Sequence, residues 1–261
     1  MSNKSLPLVS IIMPTYNSSN YLEETITNIR NQDYSNWELL ITDDKSTDNT
    51  VSIIKANQKE DSRIKLIELS VNSGAATARN TSLKKSKGEF IAFCDSDDLW
   101  KSTKLSEQIS FMKSNSYDFT YTDIEYCNDV SEIIGFRNCP NNVDYNDLLL
   151  NCSIVCSTII INRAKIGLIL MPNLRKRQDW ALWLKVIKKT NKAYRYPKQL
   201  TIYRETSNSI SANKLSLIKY NWAVYRECEG MSLVKSLYYF IRYLLIYLKV
   251  KVKKKKQLIV K

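Results

Sequence analysis

Histidine is absent from the 261-residue chain. That absence removes Ser-His-Asp and Cys-His nucleophilic catalysis and every imidazole metal ligand. A general base must then be a carboxylate before it is a lysine, tyrosine or cysteine. Glycine and proline number only five each, so neither a collagenous nor a disordered chain fits. The six cysteines (Cys94, Cys127, Cys139, Cys152, Cys156 and Cys228) include no C-x-x-C pair, and both zinc spacing and a dense disulfide framework are missing. They read as reduced thiols, mostly small core residues, in a cytosolic protein. The early apolar run LVSIIM is short, ends at Pro14 and lacks a small-residue cleavage site, so it reads as a first strand and not as a secretory signal. Acidic residues are the minority, 26 against 39 basic ones, for a formal net charge of +13. That excess suits an anionic partner (nucleic acid, acidic lipid, a phosphorylated substrate) or simply a lysine-rich solvated surface.

What is present is a chain with 44% hydrophobic residues, enough for a sizeable core. The first hundred residues alternate: LVSIIMPTY, WELLITDD, RIKLIELS and EFIAFCDSDD read as strands. NSSNYLEETITNIRNQ, KSTDNTVSIIKANQ and GAATARNTSLKKSKG between them read as helices. Such alternation predicts an α/β fold, a parallel sheet with helices on both faces. WKSTKLSEQISFMKS reads as a helix, YDFTYTDIEY as a strand, residues 127–150 as irregular and SIVCSTIIIN as a strand. RQDWALWLKVIKK reads as a helix, AYRYPKQLTIYRETSNSIS as a strand pair or extended loop, and the remainder as helical.

Ligands of such sheets bind beyond the carboxyl ends of the strands. Polar clusters stand there: Pro14-Thr15-Tyr16-Asn17, Asp43-Asp44, and Asp95-Ser96-Asp97-Asp98 within FCDSDDLW. Three carboxylates in four positions repel one another and call for a positive charge. Hard cations such as Mg²⁺ or Mn²⁺ prefer carboxylate oxygens and share their shell with substrate phosphates. A D-x-D alone fits either such a site or an Asp-rich capping turn.

Four stretches, VSIIMPTYNSSNYLEETI, ELLITDDKSTDNT, NSGAATARNTSLKKSKGEFIAFCDSDDLW and RQDWALWLK, occur in this order. Together, over roughly residues 8 to 204, the chain resembles the family 2 inverting glycosyltransferases of the GT-A fold, of the bacterial surface-polysaccharide type. The resemblance implies a mostly parallel, Rossmann-like sheet flanked by helices, and Mn²⁺ or Mg²⁺ as cofactor. It implies that Pro14, Thr15 and Tyr16 border the nucleotide, with the Tyr16 ring stacking on the base. Asp43 and Asp44 match the acidic pair that reads the base. A carboxylate there accepts the uracil imide N–H, although Asp44 also fits a helix-capping role. Arg79, Asp95 and Ser96 match nucleotide contacts, and Asp97, with Asp95, matches the metal ligands. Asp98 is expected to support the turn. The general base matches Asp179; Gln178 stands where many relatives have Glu. Without the other motifs, Asp179 reads better as a helix N-terminal acid. Arg204 and Ser209 loosely match a stretch near the diphosphate, which a surface hairpin also explains. Gln178 and Trp180 complete the candidates for the diphosphate or acceptor.

The segment MSLVKSLYYFIRYLLIYLKV is long enough as a helix, about 30 Å, to cross a bilayer. Its three cations, however, each cost about 2.5–3.5 kcal/mol at the membrane centre, which favours a helix lying in the interface. The run KVKVKKKK follows, each lysine worth about 1 kcal/mol against an anionic leaflet. Packing on the catalytic domain is the other reading of this helix. The expected organisation is a glycosyltransferase domain over 1–210 and a basic helical extension over 211–261. The expected activity is transfer from a UDP-sugar (or dTDP-sugar) to a lipid-linked, lipopolysaccharide or capsule glycan, at the inner face of the cell membrane and without nucleic acid as partner. Two rivals are a sugar-nucleotide nucleotidyltransferase, disfavoured because MPTYNSSN lacks glycine, and a basic nucleic-acid-binding protein, which leaves the acidic strand ends unexplained.

Overall fold

The computed structural model describes residues 6–205 and 214–259, without the side chains of 214–216, 247 and 249–259. Ser209 and the boundary at 211 lie outside the described residues. The expected alternation is present: β1 (Val9–Thr15), α1 (Leu22–Arg30), β2 (Trp37–Asp43), α2 (Thr50–Glu60), β3 (Ile64–Glu68), α3 (Ala75–Lys85) and β4 (Phe90–Phe93). β5 (Leu99–Trp100), α4 (Lys104–Asn115), β6 (Phe119–Cys127), β7 (Ile133–Arg137), β8 (Asn142–Asp144) and α5 (Tyr145–Leu150) follow. Then come β9 (Ile160–Asn162), α6 (Arg163–Ile166), α7 (Gln178–Thr190) and β10 (Lys192–Arg204). α8 (Lys214–Ala223), a π-helical turn (Val224–Cys228) and α9 (Leu233–Ile259) end the described chain.

The sheet runs β3-β2-β1-β4-β9-β6-β10-β5, with β7 beside β6 and β8 beside β10. β3, β2, β1 and β4 are mutually parallel. The short β9 is antiparallel to both β4 and β6, so β6 and its parallel neighbour β10 point the same way as β1. All the longer strands therefore deliver their carboxyl ends to one edge.

Strand alternation builds the two layers. Val9, Ile11 and Met13 join Leu22, Ile26 and Ile109 on one face. Ile12, Leu40 and Phe93 turn to the other, against Leu83 of α3 and Trp183 and Ile187 of α7. Gly88, just before β4, is required by close approach: a Cβ there would sit 2.5 Å from the Ser10 backbone nitrogen. Lys104 is fully buried at the start of α4, its Nζ donating to Gln108 Oε1 and the Thr158 carbonyl. Burial pushes its ammonium down to about 7.

Three expectations are corrected. Residues 127–150 are structured: β7 and β8 pair with β6 and β10, and Asp144 and Asp147 close a capping box that starts α5. Only Ile160–Asn162 of SIVCSTIIIN is strand, because Cys156–Thr158 form a 3-10 turn that aims Ser157 at the aspartates. Residues 192–204 form one strand, with Pro197 inside a register shift between Tyr196 and Gln199. All six cysteines are free thiols, four of them buried.

Candidate active site

The carboxyl edge of the sheet gathers the polar clusters. Tyr16 follows β1 and is half exposed, as a stacking surface needs. Pro14 is paired in β1 with Thr42, and Thr15 is buried, its hydroxyl donating to Asp43 Oδ1 at 3.2 Å. Asp43 and Asp44 are both buried. Asp43 accepts the Ser46 N–H at 2.9 Å. Asp44 accepts the N–H groups of Ser73 and Gly74, each at 2.7 Å. It thereby satisfies orphan donors at the start of α3, not at the start of α2.

The aspartate loop is held from below. Asp98 is 1% exposed, accepts the hydroxyl of Ser157 and accepts the Arg204 N–H at 3.1 Å. Ser157 in turn accepts the Asp95 N–H at 3.0 Å. Ser96 bonds to Ser18 through its hydroxyl at 2.8 Å. Burial, then the charges of Asp97 and Asp95, push the Asp98 carboxyl well up. Asp98 is thus a strut, as expected, and Ser157 is a partner that sequence reading missed. The signal available was a buried-type aspartate directly after an apolar strand, which needs a donor close by.

Above the strut, Asp95 forms an ion pair with the buried Arg79 of α3. Burial opposes the Arg79 charge, but Asp95, Cys156 and, after them, Asp179 outweigh it and raise its pKa. Asp179, in the first turn of α7, therefore lies within electrostatic reach of the arginine that Asp95 holds. Burial, then the Asp95 charge, push Asp97 up to about 6. Among the buried polar atoms without a hydrogen-bond partner in the described residues are Arg79 Nε, Arg177 Nε and Gln178 Oε1, which belong to the motifs on α3 and at the start of α7.

These residues fit a divalent cation in one respect: two close carboxylates on a rigid loop, one pushed toward protonation by the other, are relieved by a hard cation. Among the described residues no three such side chains make a metal cage by themselves. A cation there would take its remaining ligands from a diphosphate and water, which is the habit of Mg²⁺-type sites.

Two candidates are corrected. Trp180 is fully buried: its Nε1 donates to the Leu148 carbonyl at 2.8 Å, and its ring packs against Tyr225 and Tyr243. It is core and does not face a ligand. Arg204 is 2% exposed, and its guanidinium is engaged within the protein. Nε donates to the Asp97 carbonyl at 2.9 Å. Nη1 donates to the Asn128 carbonyl and Ser131 Oγ, and Nη2 to Glu24 Oε2 at 2.8 Å. The Tyr21 ring covers it at 4.7 Å. Arg204 locks the aspartate loop to the turn between β6 and β7. Replacing it with Ala removes the donors to the part-buried carbonyls of Asp97 and Asn128 and unpairs Glu24. The Arg204→Ala protein is expected to lose about 3 kcal/mol of stability in urea unfolding. Lysine at 204 is expected to recover less than half, because a point charge cannot replace a five-donor fork.

A half-parallel sheet with this acidic edge is the architecture of GT-A glycosyltransferases. Staphylococcus aureus TarS, solved with UDP-GlcNAc, superposes with a TM-score of 0.68 at 20% identity, over 92% of this chain and 72% of that one. The chain belongs to glycosyl transferase family 2, whose model matches residues 10–166. Two relatives match nearly end to end. TuaG of Bacillus subtilis, named for teichuronic acid biosynthesis, is 42% identical over 91% of this chain and 94% of its own. WfgD of Escherichia coli is named a UDP-Glc:alpha-D-GlcNAc-diphosphoundecaprenol beta-1,3-glucosyltransferase; it is 41% identical over 93% of this chain and 94% of its own. The chain is thus a glycosyltransferase similar to enzymes of bacterial surface-polysaccharide synthesis.

Proposed function

We propose that this glycosyltransferase moves a sugar from a UDP-sugar to a hydroxyl of a lipid-diphosphate-linked glycan, with inversion at the anomeric carbon. The observation that carries the reading is geometric: Asp95 of the aspartate loop is ion-paired with the buried Arg79 of α3 at the carboxyl edge of the parallel strands. Asp179, 84 positions further along the chain, is read as facing the same guanidinium from the first turn of α7. The 41% identity to WfgD over nearly the whole chain supports the donor and acceptor classes, and the family match does not support the nucleotidyltransferase alternative.

In this reading Tyr16 stacks on the uracil, Asp43 or Asp44 accepts its imide N–H, and Thr15 and Pro14 shape the wall of the pocket. Arg79 opposes the diphosphate charge while orienting Asp95 toward the ribose. Asp97 and Asp95 hold Mn²⁺ or Mg²⁺, which when bound supplies Lewis-acid stabilisation of the departing diphosphate. Asp179 accepts the proton of the acceptor hydroxyl as its oxygen bonds to the anomeric carbon. The bond from that carbon to the diphosphate oxygen breaks on the opposite face, UDP leaves, and configuration inverts. Gln178, next to the base in the chain, is read as a contact of the acceptor. The catalytic domain is read as 1–210 and the helical extension as 211–261, with the enzyme on the inner face of the cell membrane where a lipid-linked acceptor is held.

A donor screen tests the proposal. With a GlcNAc-diphospholipid analogue, UDP release is expected from UDP-glucose or another UDP-hexose, to require Mn²⁺ or Mg²⁺, and to stop with EDTA. A β-linked product from an α-linked donor is expected by NMR. Release of pyrophosphate from a sugar phosphate and UTP, or retention at the anomeric centre, would overturn it.

A further inference from the structure

Among the described residues no helix is long and apolar enough to cross a membrane, yet α9 carries an apolar face that the domain does not cover. Leu233, Val234, Leu237, Ile241, Leu245 and Leu248 are each 47% to 80% exposed. At 3.6 residues per turn these six positions fall within an arc of about 120°. The domain-facing side of the same helix is a different set. Ser236 is buried, Tyr239 stacks on Tyr225, Phe240 meets Trp222 edge-on, and Tyr243 stacks on Trp180. The centre of that set lies about 140° around the helix from the centre of the exposed one. α9 is therefore apolar on two nearly opposed faces, and the fold uses one.

Charge names the occupant of the other. Exposed Lys235 and Arg242 lie together along one edge of the stripe, and Arg242 donates to Tyr238 there at 3.0 Å. Six of the eight residues from 249 to 256 are lysines. An apolar stripe edged by long cationic side chains and continued by a lysine run matches an anionic lipid surface, with leucines at the acyl boundary and cations among headgroups. A second protein copy would have to accept the same positive charge against itself.

We infer that α9 lies in the surface of an anionic bilayer by its Leu233–Leu248 stripe while its opposite face holds the N-terminus of α7. The link to the site is direct. Tyr243 stacks on Trp180 at 6.2 Å and accepts a hydrogen bond from Arg177 Nη2 at 3.0 Å, and these two residues flank Asp179 in sequence by two positions before and one after. The helix on the membrane is thus the helix that packs against the turn presenting the base. This ties the height of Asp179 above the headgroups to α9, which favours an acceptor whose reactive hydroxyl is held near the membrane surface. That selection rests on the transferase reading above; the docking itself does not.

The experiment is co-sedimentation of the full chain with vesicles of phosphatidylcholine alone or with 30 mol% phosphatidylglycerol, for the native protein and for the double variant Leu237→Asp, Ile241→Asp. Binding is expected to be at least about tenfold tighter to the anionic vesicles and to fall at least about tenfold in the double variant. Circular dichroism and UDP affinity are expected to match the native protein, since both positions are solvent-exposed. Native protein that stays in the supernatant overturns the proposal, as does undiminished binding of the double variant. So does a dimer in sedimentation that the same two substitutions dissolve. Vesicle binding without any sugar transfer would count against the transferase reading and leave the docking standing. Transfer to a short-chain, detergent-free acceptor that is unchanged in the double variant, with loss only on vesicle-borne acceptor, is the expected kinetic counterpart.

Discussion

With Asp179 replaced by asparagine, sugar transfer is expected to fall about 10³-fold while UDP affinity stays within about twofold of native. The amide keeps the shape and the N-terminal position on α7 but cannot take a proton from a hydroxyl. Removal of one general base raises a barrier by about 4 kcal/mol, which is that factor in rate. Donor affinity is spared because Asp179 reaches the donor side only through the field at Arg79, whose direct partner is Asp95. The check is a split measurement: turnover by UDP release, and binding by calorimetry with UDP and Mn²⁺. A variant that turns over normally removes Asp179 from the mechanism. One that loses both activities equally makes it a structural acid of the helix.

Asp97→Asn is expected to do the converse. Loss of one of two carboxylate ligands should weaken metal-dependent UDP binding by at least about 100-fold, and raising Mn²⁺ should recover part of it. Folding should be unharmed or slightly improved, because Asp97 is a carboxylate held against burial and against Asp95. Stability and binding thus move in opposite directions, which separates a ligand from a structural residue. Asp98→Ala supplies the contrast: it removes the buried acceptor of the Ser157 hydroxyl and the Arg204 N–H, and it should lower the melting temperature. If Asp97→Asn binds UDP and Mn²⁺ as native does, the metal ligands lie elsewhere.

The sheet and its acidic edge were legible because they rest on local rules. Apolar runs of strand length with polar residues beyond them, separated by helical stretches, specify β1 to β4 and the loops beyond them almost independently of the rest of the chain. The helix that Asp179 opens was legible through its motif. Trp180 and Arg204 were misread for one shared reason: a polar-capable side chain next to a motif was taken to face the ligand. Whether it does so depends on distant segments. The partners of Arg204 come from Glu24, Asp97 and residues 128–131, and those of Trp180 from Leu148, Tyr225 and Tyr243. No local pattern carries that information. β7, β8 and α5 were missed because each is short and exists through pairing with β6 or β10, or through a four-residue cap. The C-terminal helix offered two readings, packing on the domain or facing lipid; the wheel shows that one face packs and leaves the other apolar and open.

The grip of Arg204 has a mechanical corollary. A single guanidinium clasps the carbonyl behind Asp97 and the reverse turn at 128–131, so those two segments are geared together. If that turn swings, it drags on the loop that carries Asp95 and Asp97. Movement of either segment is then transmitted to the other through one side chain.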